Sequence, residues 1–221
     1  MSKLDLTVRR PSGYGKMQST ALREPHLPFH MMKGLLMNKL AYPFYTAGHS
    51  NRSLSGFVEI LQAAGIELVV DVRRMPGSGA QPQFNGDMLY RSLAEFQIAY
   101  EYMAPLGGRR GRAMEIPTEL NAGWRNRSFH NYADYALSPE FRSGFERLIG
   151  LGRERPCVIM CSEAVWWRCH RRIIADYLLA RGEQVIHLMD KNRTEPAELT
   201  KGAVVRDDRS VIYPAMENLV G

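Results

Sequence analysis

Short apolar stretches alternate with amphipathic ones through the middle of the chain. The segment YPFYTAG is apolar and ends close to Gly48, and this pattern predicts a first strand. SLSGFVEILQAAG follows, with apolar residues spaced for one face of a helix and with Ser53 placed as the N-cap. IELVVDVR then predicts a buried strand, because its apolar run is too short for a helix. A strand, a helix and a strand within about thirty residues indicate a βαβ unit with parallel strands.

The same alternation predicts further elements up to about residue 190. Helices are predicted over DMLYRSLAEF, over YADYALSPEFRSGFERLIGLG with a break at Pro139, and from about Ala164 to Arg181. Strands are predicted over IAYEYM, PCVIMC and QVIHLM, and GAVVRDDRSVIYPAMENLVG predicts one peripheral hairpin. Together these elements indicate a single α/β domain, with a mostly parallel sheet and helices on both faces.

Composition divides the chain into three parts. Residues 1–40 lack periodicity and are predicted to be a basic, partly disordered N-terminal extension. Residues 41–190 hold the α/β pattern, and residues 191–221 form a C-terminal peripheral segment. Seven of the 29 basic and two of the 23 acidic residues lie in residues 1–40, which leaves 22 bases and 21 acids elsewhere. The main body is almost neutral, so its charge does not indicate a duplex-sized nucleic-acid surface.

Bulk features predict a cytoplasmic protein with free thiols. The chain has no run of about 18 apolar residues, so no membrane span is predicted. Its N-terminal region has no continuous apolar core of the length found in signal peptides. Three cysteines are an odd number and too few for a disulfide framework, which favours a reducing compartment.

Chemically capable side chains cluster where the predicted strands end. In open parallel sheets, ligands bind at the carboxyl ends of the strands. We therefore predict a cleft at the carboxyl ends of the strands, where the first, second and fourth strands end and where His187 lies on the last strand. The predicted lining residues are His49, Asp71, Arg73, Cys161, Glu163 and His170.

Cys161 ends a strand just before a helix, and three interpretations of it stay open. Helix amides and nearby arginines lower the pKa of a thiol and make it nucleophilic, with His49 or His170 as the base. The second interpretation is a metal ligand, and the third is a buried, unreactive thiol. Phosphatase chemistry is disfavoured, because Trp167 stands where a phosphatase loop needs arginine and because Glu163 would repel a phosphate dianion.

The start of the last predicted helix combines thiol, imidazole and guanidinium groups. Cys169 and His170 are predicted to face inward on this helix, about 100° apart, which makes joint metal binding awkward. Three arginines on the other flank oppose the helix dipole, and either an acidic neighbour (Glu163 or Asp71) or a bound anion would offset that cost. These arginines are Arg168, Arg171 and Arg172.

Two arginine-rich loops follow the predicted strand IAYEYM. LGGRRGR carries Arg109, Arg110 and Arg112 beside glycines, and WRNRSFH combines arginine with aromatic residues. Such patches suit single-stranded nucleic acid or a nucleotide, and solvated surface loops are the alternative. LGGRRGR is neither a Walker loop nor a dinucleotide fingerprint, and no motif in the chain identifies a cofactor.

Several of these motifs together resemble the family called domain of unknown function 488. The matching pieces are YTAGHSNRSLSGFVEILQAAGIELVVDVRRMPGS, PQFN, LGGRR and MCSEAVWWRCHRRIIADYLLARGEQVIHL, which occur in the order of the family and cover about Tyr42 to Leu188. The resemblance implies an α/β fold and a shared site, but it implies no established reaction. The motif positions of the family fall here on His49, Ser50, Asp71, Arg73, Cys161, Glu163, Cys169, His170 and Arg171.

Three functional hypotheses follow. The first is an enzyme acting on a small anionic or nucleotide-like ligand, in which Cys161 is a nucleophile or ligand and His49 or His170 moves protons. Its predicted catalytic residues are Cys161, His49, His170, Asp71 and Glu163, and its predicted ligand-binding residues are Ser50, Arg73, Arg171 and Arg109. The second is a non-catalytic accessory protein that binds single-stranded nucleic acid through the basic extension and the two loops. The third is a metal-dependent enzyme.

Overall fold

A six-stranded sheet forms the centre of the computed structural model, which describes residues 42–77 and 79–215. Its strands are β1 (Phe44–Gly48), β2 (Leu68–Asp71), β3 (Ala99–Tyr102), β4 (Cys157–Cys161), β5 (Val185–Asp190) and β6 (Arg193–Pro196). They lie in the order β3-β2-β4-β1-β5-β6. Every pairing is parallel except that of β5 with β6. This architecture confirms the predicted α/β fold with a mostly parallel sheet.

Five helices cover the sheet, and the core lies in two layers. The helices are α1 (Leu54–Ala63), α2 (Gly86–Ala94), α3 (Arg127–Tyr135), α4 (Pro139–Glu154) and α5 (Arg171–Ala180). Successive strand residues point to opposite faces. Leu68 and Val70 of β2 accordingly pack in one cluster with Ile174 of α5, while Val69 between them packs with Leu61 of α1. Helices therefore cover both faces, as the pattern predicts.

Local capping explains where two of the helices begin. Ser53 accepts a hydrogen bond from the backbone N–H of Gly56, so the predicted N-cap of α1 is confirmed. Ser138 caps α4 in the same way, and Pro139 occupies the first turn, where its missing N–H costs nothing. The predicted break at Pro139 therefore divides the segment into α3 and α4.

The predicted helix from Ala164 is wrong at its start. Residues 166–168 form a short 3-10 turn, and α5 begins at Arg171. The side chain of Trp166 stacks on His187 of β5, with ring centroids 4.4 Å apart, and its indole N–H donates to Glu195 of β6. These contacts hold the segment against the sheet edge, so it does not continue the helix.

The C-terminal part contributes one predicted and one unpredicted pairing. The predicted hairpin is present as β7 (Val204–Val205) and β8 (Val211–Ile212), which are antiparallel. β6 pairs with β5 at the edge of the central sheet and was not predicted, because its sequence RTEP has no apolar pattern. Edge strands that face solvent carry little hydrophobic periodicity.

Two expectations concern the N-terminal extension and membrane-spanning helices. The basic extension of residues 1–40 lies outside the described residues, so its predicted character stays a prediction. Within residues 42–77 and 79–215, no helix has both the length and the apolar character that crossing a membrane requires.

Candidate functional site

The carboxyl ends of β2, β4 and β1, which are neighbours in the sheet, open into one cavity of about 600 Å³. The loop after β3 and the N-terminal half of α3 complete its wall. Seven of the nine predicted site residues line it: His49, Ser50, Arg73, Arg109, Cys161, Glu163 and His170. The remaining two, Asp71 and Arg171, lie behind this surface and contact residues that line it.

Asp71 fixes the guanidinium of Arg73 in the cavity wall. Its carboxylate is fully buried and accepts hydrogen bonds from the backbone N–H of Arg73 at 3.0 Å and from its Nε at 2.9 Å. The hydroxyl of Tyr100 on β3 donates to the same carboxylate at 2.8 Å. Tyr100 was not predicted as a site residue. From the sequence, an aromatic residue on an edge strand indicates only hydrophobic packing.

His49 orients Arg73 from the other side. Its Nδ1 lies 2.9 Å from the carbonyl oxygen of Ser50, which only accepts, so Nδ1 carries the proton. Nε2 is then the acceptor for Nη1 of Arg73 at 3.3 Å. Burial lowers the pKa of His49 to about 4, with the charge of Arg73 adding to the effect. The ring is neutral at pH 7, and both of its nitrogens are already hydrogen-bonded.

Two thiols and an imidazole converge at the base of the cavity. The sulfur atoms of Cys161 and Cys169 and a ring nitrogen of His170 all lie within 4.8 Å of one another. We call these three residues the sulfur–imidazole cluster. Cys169 precedes α5 and has an extended backbone, with φ −121° and ψ 145°. The expected divergence of Cys169 and His170 on a helix is therefore wrong, because neither residue lies within one.

The imidazole of His170 has a defined tautomer. Its Nε2 lies 2.9 Å from the carbonyl oxygen of Val72, so Nε2 carries the proton and donates it. In the neutral ring, Nδ1 then holds the lone pair, and it lies 3.7 Å from Sγ of Cys169. The strand end at Val72 thus turns the basic nitrogen of His170 toward the sulfur atoms.

Arg171 makes Cys169 the electron-rich sulfur of the pair. Its side chain is only 1% exposed; Nε donates to Sγ of Cys169 at 3.3 Å, and Nη2 donates to the carbonyl oxygen of Glu163 at 2.5 Å. None of the ion pairs in the described part of the chain involves Arg171. A buried cation needs a countercharge, and Cys169, which accepts from Nε of Arg171, would supply one as a thiolate. The predicted position of Arg171 on an outer flank beside Arg168 and Arg172 is wrong, since α5 begins at Arg171 and places it inward.

The two thiols differ in how readily they lose a proton. Burial alone would raise the pKa of Cys169, but a hydrogen bond from Cys161 and the charge of Arg171 lower it to about 6. The same hydrogen bond, together with burial, raises the pKa of Cys161 to about 12. These opposite shifts favour the proton on Cys161 and the negative charge on Cys169. A nucleophile at Cys161 was one of the three interpretations that the sequence left open.

The cavity wall is cationic. Its lining includes four arginines, of which Arg74, Arg109 and Arg168 are exposed, but only one acidic residue, Glu163. No carboxylate in residues 42–77 or 79–215 forms an ion pair with these three exposed arginines. The backbone of Arg109 has a φ of 53°, a strained value for a residue with a side chain, and such strain is concentrated at functional sites.

The two loops predicted to bind nucleic acid are used partly for packing. Arg110 donates to the carbonyl oxygens of Gly107 and Ala104, and its guanidinium lies 3.7 Å from the centroid of the Tyr135 ring. Trp124 stacks on Phe129, with centroids 4.7 Å apart. These side chains are held by contacts within the fold. Nucleic-acid binding by the loops stays a prediction.

Buried histidines should make the protein less stable in mild acid. Burial lowers the pKa of His187 to about 4, with Arg171 adding to the effect and Glu195 opposing it, and the pKa of His49 is lowered similarly. The unfolded chain binds protons near pH 6.5 and the folded protein does not, so stability falls as the pH drops from about 6.5 to 4. Each histidine contributes about 3 kcal/mol to this loss.

The variant His187→Gln tests this expectation. Urea unfolding at pH 7 and pH 4.5 should show a clearly smaller loss of unfolding free energy for the variant than for the wild type. Equal losses in the two proteins would contradict a neutral, buried His187.

Comparison with known proteins gives one family and no individual relative. The family model described as Domain of unknown function DUF488 matches residues 53–178. This match confirms the resemblance suggested by the motifs and includes Asp71, Arg73 and the whole cluster, while His49 and Ser50 precede it. No match was found among curated proteins, and none was found among solved structures.

Proposed function

The chain belongs to the family described as Domain of unknown function DUF488, and we propose that it is an enzyme that converts a small anionic substrate in the cavity at the strand ends. The sulfur–imidazole cluster is its reacting centre, and the cavity arginines bind the substrate. The description of the family names no reaction, so the proposal rests on the geometry of this chain.

One observation carries the proposal: the three electron-rich atoms of the cluster converge at the base of a cavity of about 600 Å³. Cavities of this size suit small-molecule ligands. Buried thiols with strongly displaced pKa values beside a charge partner, in a cleft, are typical of functional sites. A packed, unreactive thiol such as Cys157 has no partner of this kind, and burial alone raises its pKa to about 12.

The charge of the wall supports an anionic substrate. Arg73 is held by Asp71 and His49, and one N–H on each of its terminal nitrogens is left over after these bonds. A guanidinium fixed in this way binds a carboxylate or phosphate group with little loss of side-chain entropy. Arg109 and Arg168 add charge nearer to solvent, where they attract an anion toward the cluster.

Cys169 supplies the electron pair at the reacting centre. Arg171 balances its negative charge, and the proton shared with Cys161 lies on the neighbouring sulfur. His49 acts as a positioning residue for Arg73, because both of its nitrogens are used. Glu163 lies on the lining and contributes its backbone carbonyl to Arg171.

Substrate conversion is expected to depend on Cys169. The full-length protein is incubated with the anionic small-molecule fraction of a cell extract, and mass spectrometry follows the loss of substrate and the appearance of product. We expect at least one anion to be converted by the wild type and at least about 100-fold more slowly by Cys169→Ser. Cys157→Ala is the matched control, because Cys157 is buried in β4 and does not line the cavity.

A second pair of variants tests the role of the arginines. Replacing both Arg109 and Arg168 by glutamine should raise KM about tenfold and leave kcat nearly unchanged, since these groups bind but do not react. Arg206→Gln, an exposed arginine outside the cavity, should change neither value. The proposal fails if no anion is converted, or if Cys169→Ser converts it at the wild-type rate.

A further inference from the structure

We infer that the sulfur–imidazole cluster binds one zinc ion through Sγ of Cys161, Sγ of Cys169 and Nδ1 of His170, with a fourth coordination position facing the cavity. This inference rests on the proposed function in one respect. It takes the sulfur–imidazole cluster as the reacting centre of the enzyme and identifies that centre as a zinc site. It assigns all three residues a joint role, in which the electron pair of Cys169 binds the metal.

The distances within the cluster fit a shared metal. A tetrahedral zinc ion lies about 2.3 Å from sulfur and about 2.0–2.1 Å from nitrogen, so it separates these two ligand atoms by about 3.6 Å. Sγ of Cys169 and Nδ1 of His170 are 3.7 Å apart. The remaining separations in the cluster are 4.8 Å or less, and small side-chain rotations bring the ligand atoms to zinc distances.

The electron pairs of the cluster need a cation between them. Because Nε2 of His170 donates its proton to the carbonyl oxygen of Val72, the lone pair of Nδ1 faces Sγ of Cys169. Two electron-rich atoms in this position repel each other unless a proton or a metal ion lies between them. Histidines that bind metals through one nitrogen usually donate the other N–H to a carbonyl or carboxylate, which is the arrangement of His170.

Gly108 packs closely against one face of the His170 ring. A Cβ atom at Gly108 would lie 2.7 Å from Nδ1 of His170 and 3.0 Å from its Cε1. A Cβ this close to Nδ1, to Cε1 and, at 3.1 Å, to Cγ would lie over the face of the ring and away from the in-plane lone pair. Any larger residue would displace the ring and change the direction of that lone pair.

The ligand set selects the metal and balances the charge. Two thiolates and an imidazole are soft to borderline ligands, which favour zinc over magnesium or calcium. On binding, Cys161 releases its proton to solvent, and the two thiolates neutralise the ion. Arg171 continues to donate to Cys169 and leaves the centre with one net positive charge, which an anion in the cavity would offset. Three protein ligands with one open position are typical of catalytic rather than structural zinc sites.

Metal content and cobalt spectroscopy on the full-length protein test the inference. Protein purified with a phosphine reductant and no chelator should contain about one zinc per chain. The metal-free protein, titrated with Co²⁺, should develop thiolate-to-cobalt charge-transfer bands and the visible bands of a tetrahedral ion. In competition with a chelator, Cys161→Ser, Cys169→Ser and His170→Gln should each weaken zinc binding by about 100-fold or more, and Cys157→Ala should not.

A glycine pair gives a test that leaves every ligand in place. Gly108→Ala should weaken zinc binding because its methyl group would displace the ring of His170, while Gly111→Ala, with no atom within 4 Å of its new Cβ, should bind zinc like the wild type. Urea unfolding of the metal-free variants checks that each is folded.

The outcomes separate this inference from the proposed function. The metal site is overturned if folded variants of the cluster bind zinc or Co²⁺ with wild-type affinity. It is also overturned if the wild type shows no thiolate-to-cobalt bands. If the wild type binds neither metal through the cluster but still converts an anion in a Cys169-dependent way, the proposed function survives and the zinc inference fails. Zinc bound through the cluster without any anion conversion supports the metal site and overturns the proposed function.

Discussion

The variant Gly48→Ala is expected to lose about 3 kcal/mol or more of unfolding free energy. A Cβ at this position would lie 1.9 Å from the carbonyl oxygen of Glu163 and 2.9 Å from Cα of Ala164. Both are backbone atoms, so no side-chain rotation relieves the overlap. The loop after β4 must therefore move away from the end of β1.

That movement would break bonds that join the two strand ends. The backbone N–H of His49 donates to the carbonyl oxygen of Cys161 at 3.0 Å, and that of Ser50 donates to Ser162 at 2.9 Å. Urea unfolding measures the loss. Gly150→Ala is the control, since Gly150 lies in α4 with no atom near its added Cβ, and alanine there should stabilise the helix by about 0.5–1 kcal/mol. A Gly48→Ala protein as stable as the wild type would contradict the close approach.

The second large effect is expected for Asp71→Asn, which should lower the free energy of unfolding by about 3–5 kcal/mol. Asparagine keeps the shape of the side chain but removes the charge that balances Arg73, and Arg73 is only 5% exposed. The amide also offers N–H donors where the Nε of Arg73 and the hydroxyl of Tyr100 already donate. Equilibrium unfolding in urea at pH 7 measures this change.

Two further variants show whether the lost stability comes from the unpaired cation of Arg73. In Asp71→Asn combined with Arg73→Leu, the total loss should be clearly smaller than the sum of the two single losses, because no buried cation then lacks a partner. Glu59→Gln breaks an ion pair with Lys191 in which both side chains are exposed, and it should change stability by about 0.5 kcal/mol or less. Additive losses at Asp71 and Arg73 would argue against a buried, coupled pair.

The sequence was sufficient to predict five of the six strands of the sheet and the edge at which the cavity opens. Periodic apolar stretches mark β1, β2 and β4, and parallel strands bring their carboxyl ends to one edge. His49, Arg73 and Cys161 follow directly from that rule. The family resemblance pointed to the same positions independently.

The inner arrangement of the site was not predictable in the same way. Cys169 faces the cavity because α5 begins two residues later, at Arg171. The helix begins there because Trp166 packs against His187 and donates to Glu195. A contact across the sheet edge leaves no periodic pattern in the segment itself. For the same reason, the sequence placed Arg171 on the outer flank, although its guanidinium lies buried against Cys169.

The strand order has a consequence for how the protein folds. β1 pairs only with β4 and β5, and the paired residues Tyr45 and Val158 are 113 positions apart in the chain. Pairings between distant segments slow folding, because a long loop must close before any contact forms. During synthesis, β1 has no sheet partner until residues 157–161 emerge, and its last neighbour emerges with residues 185–190. The cavity, which needs both chain regions, is thus a late product of folding.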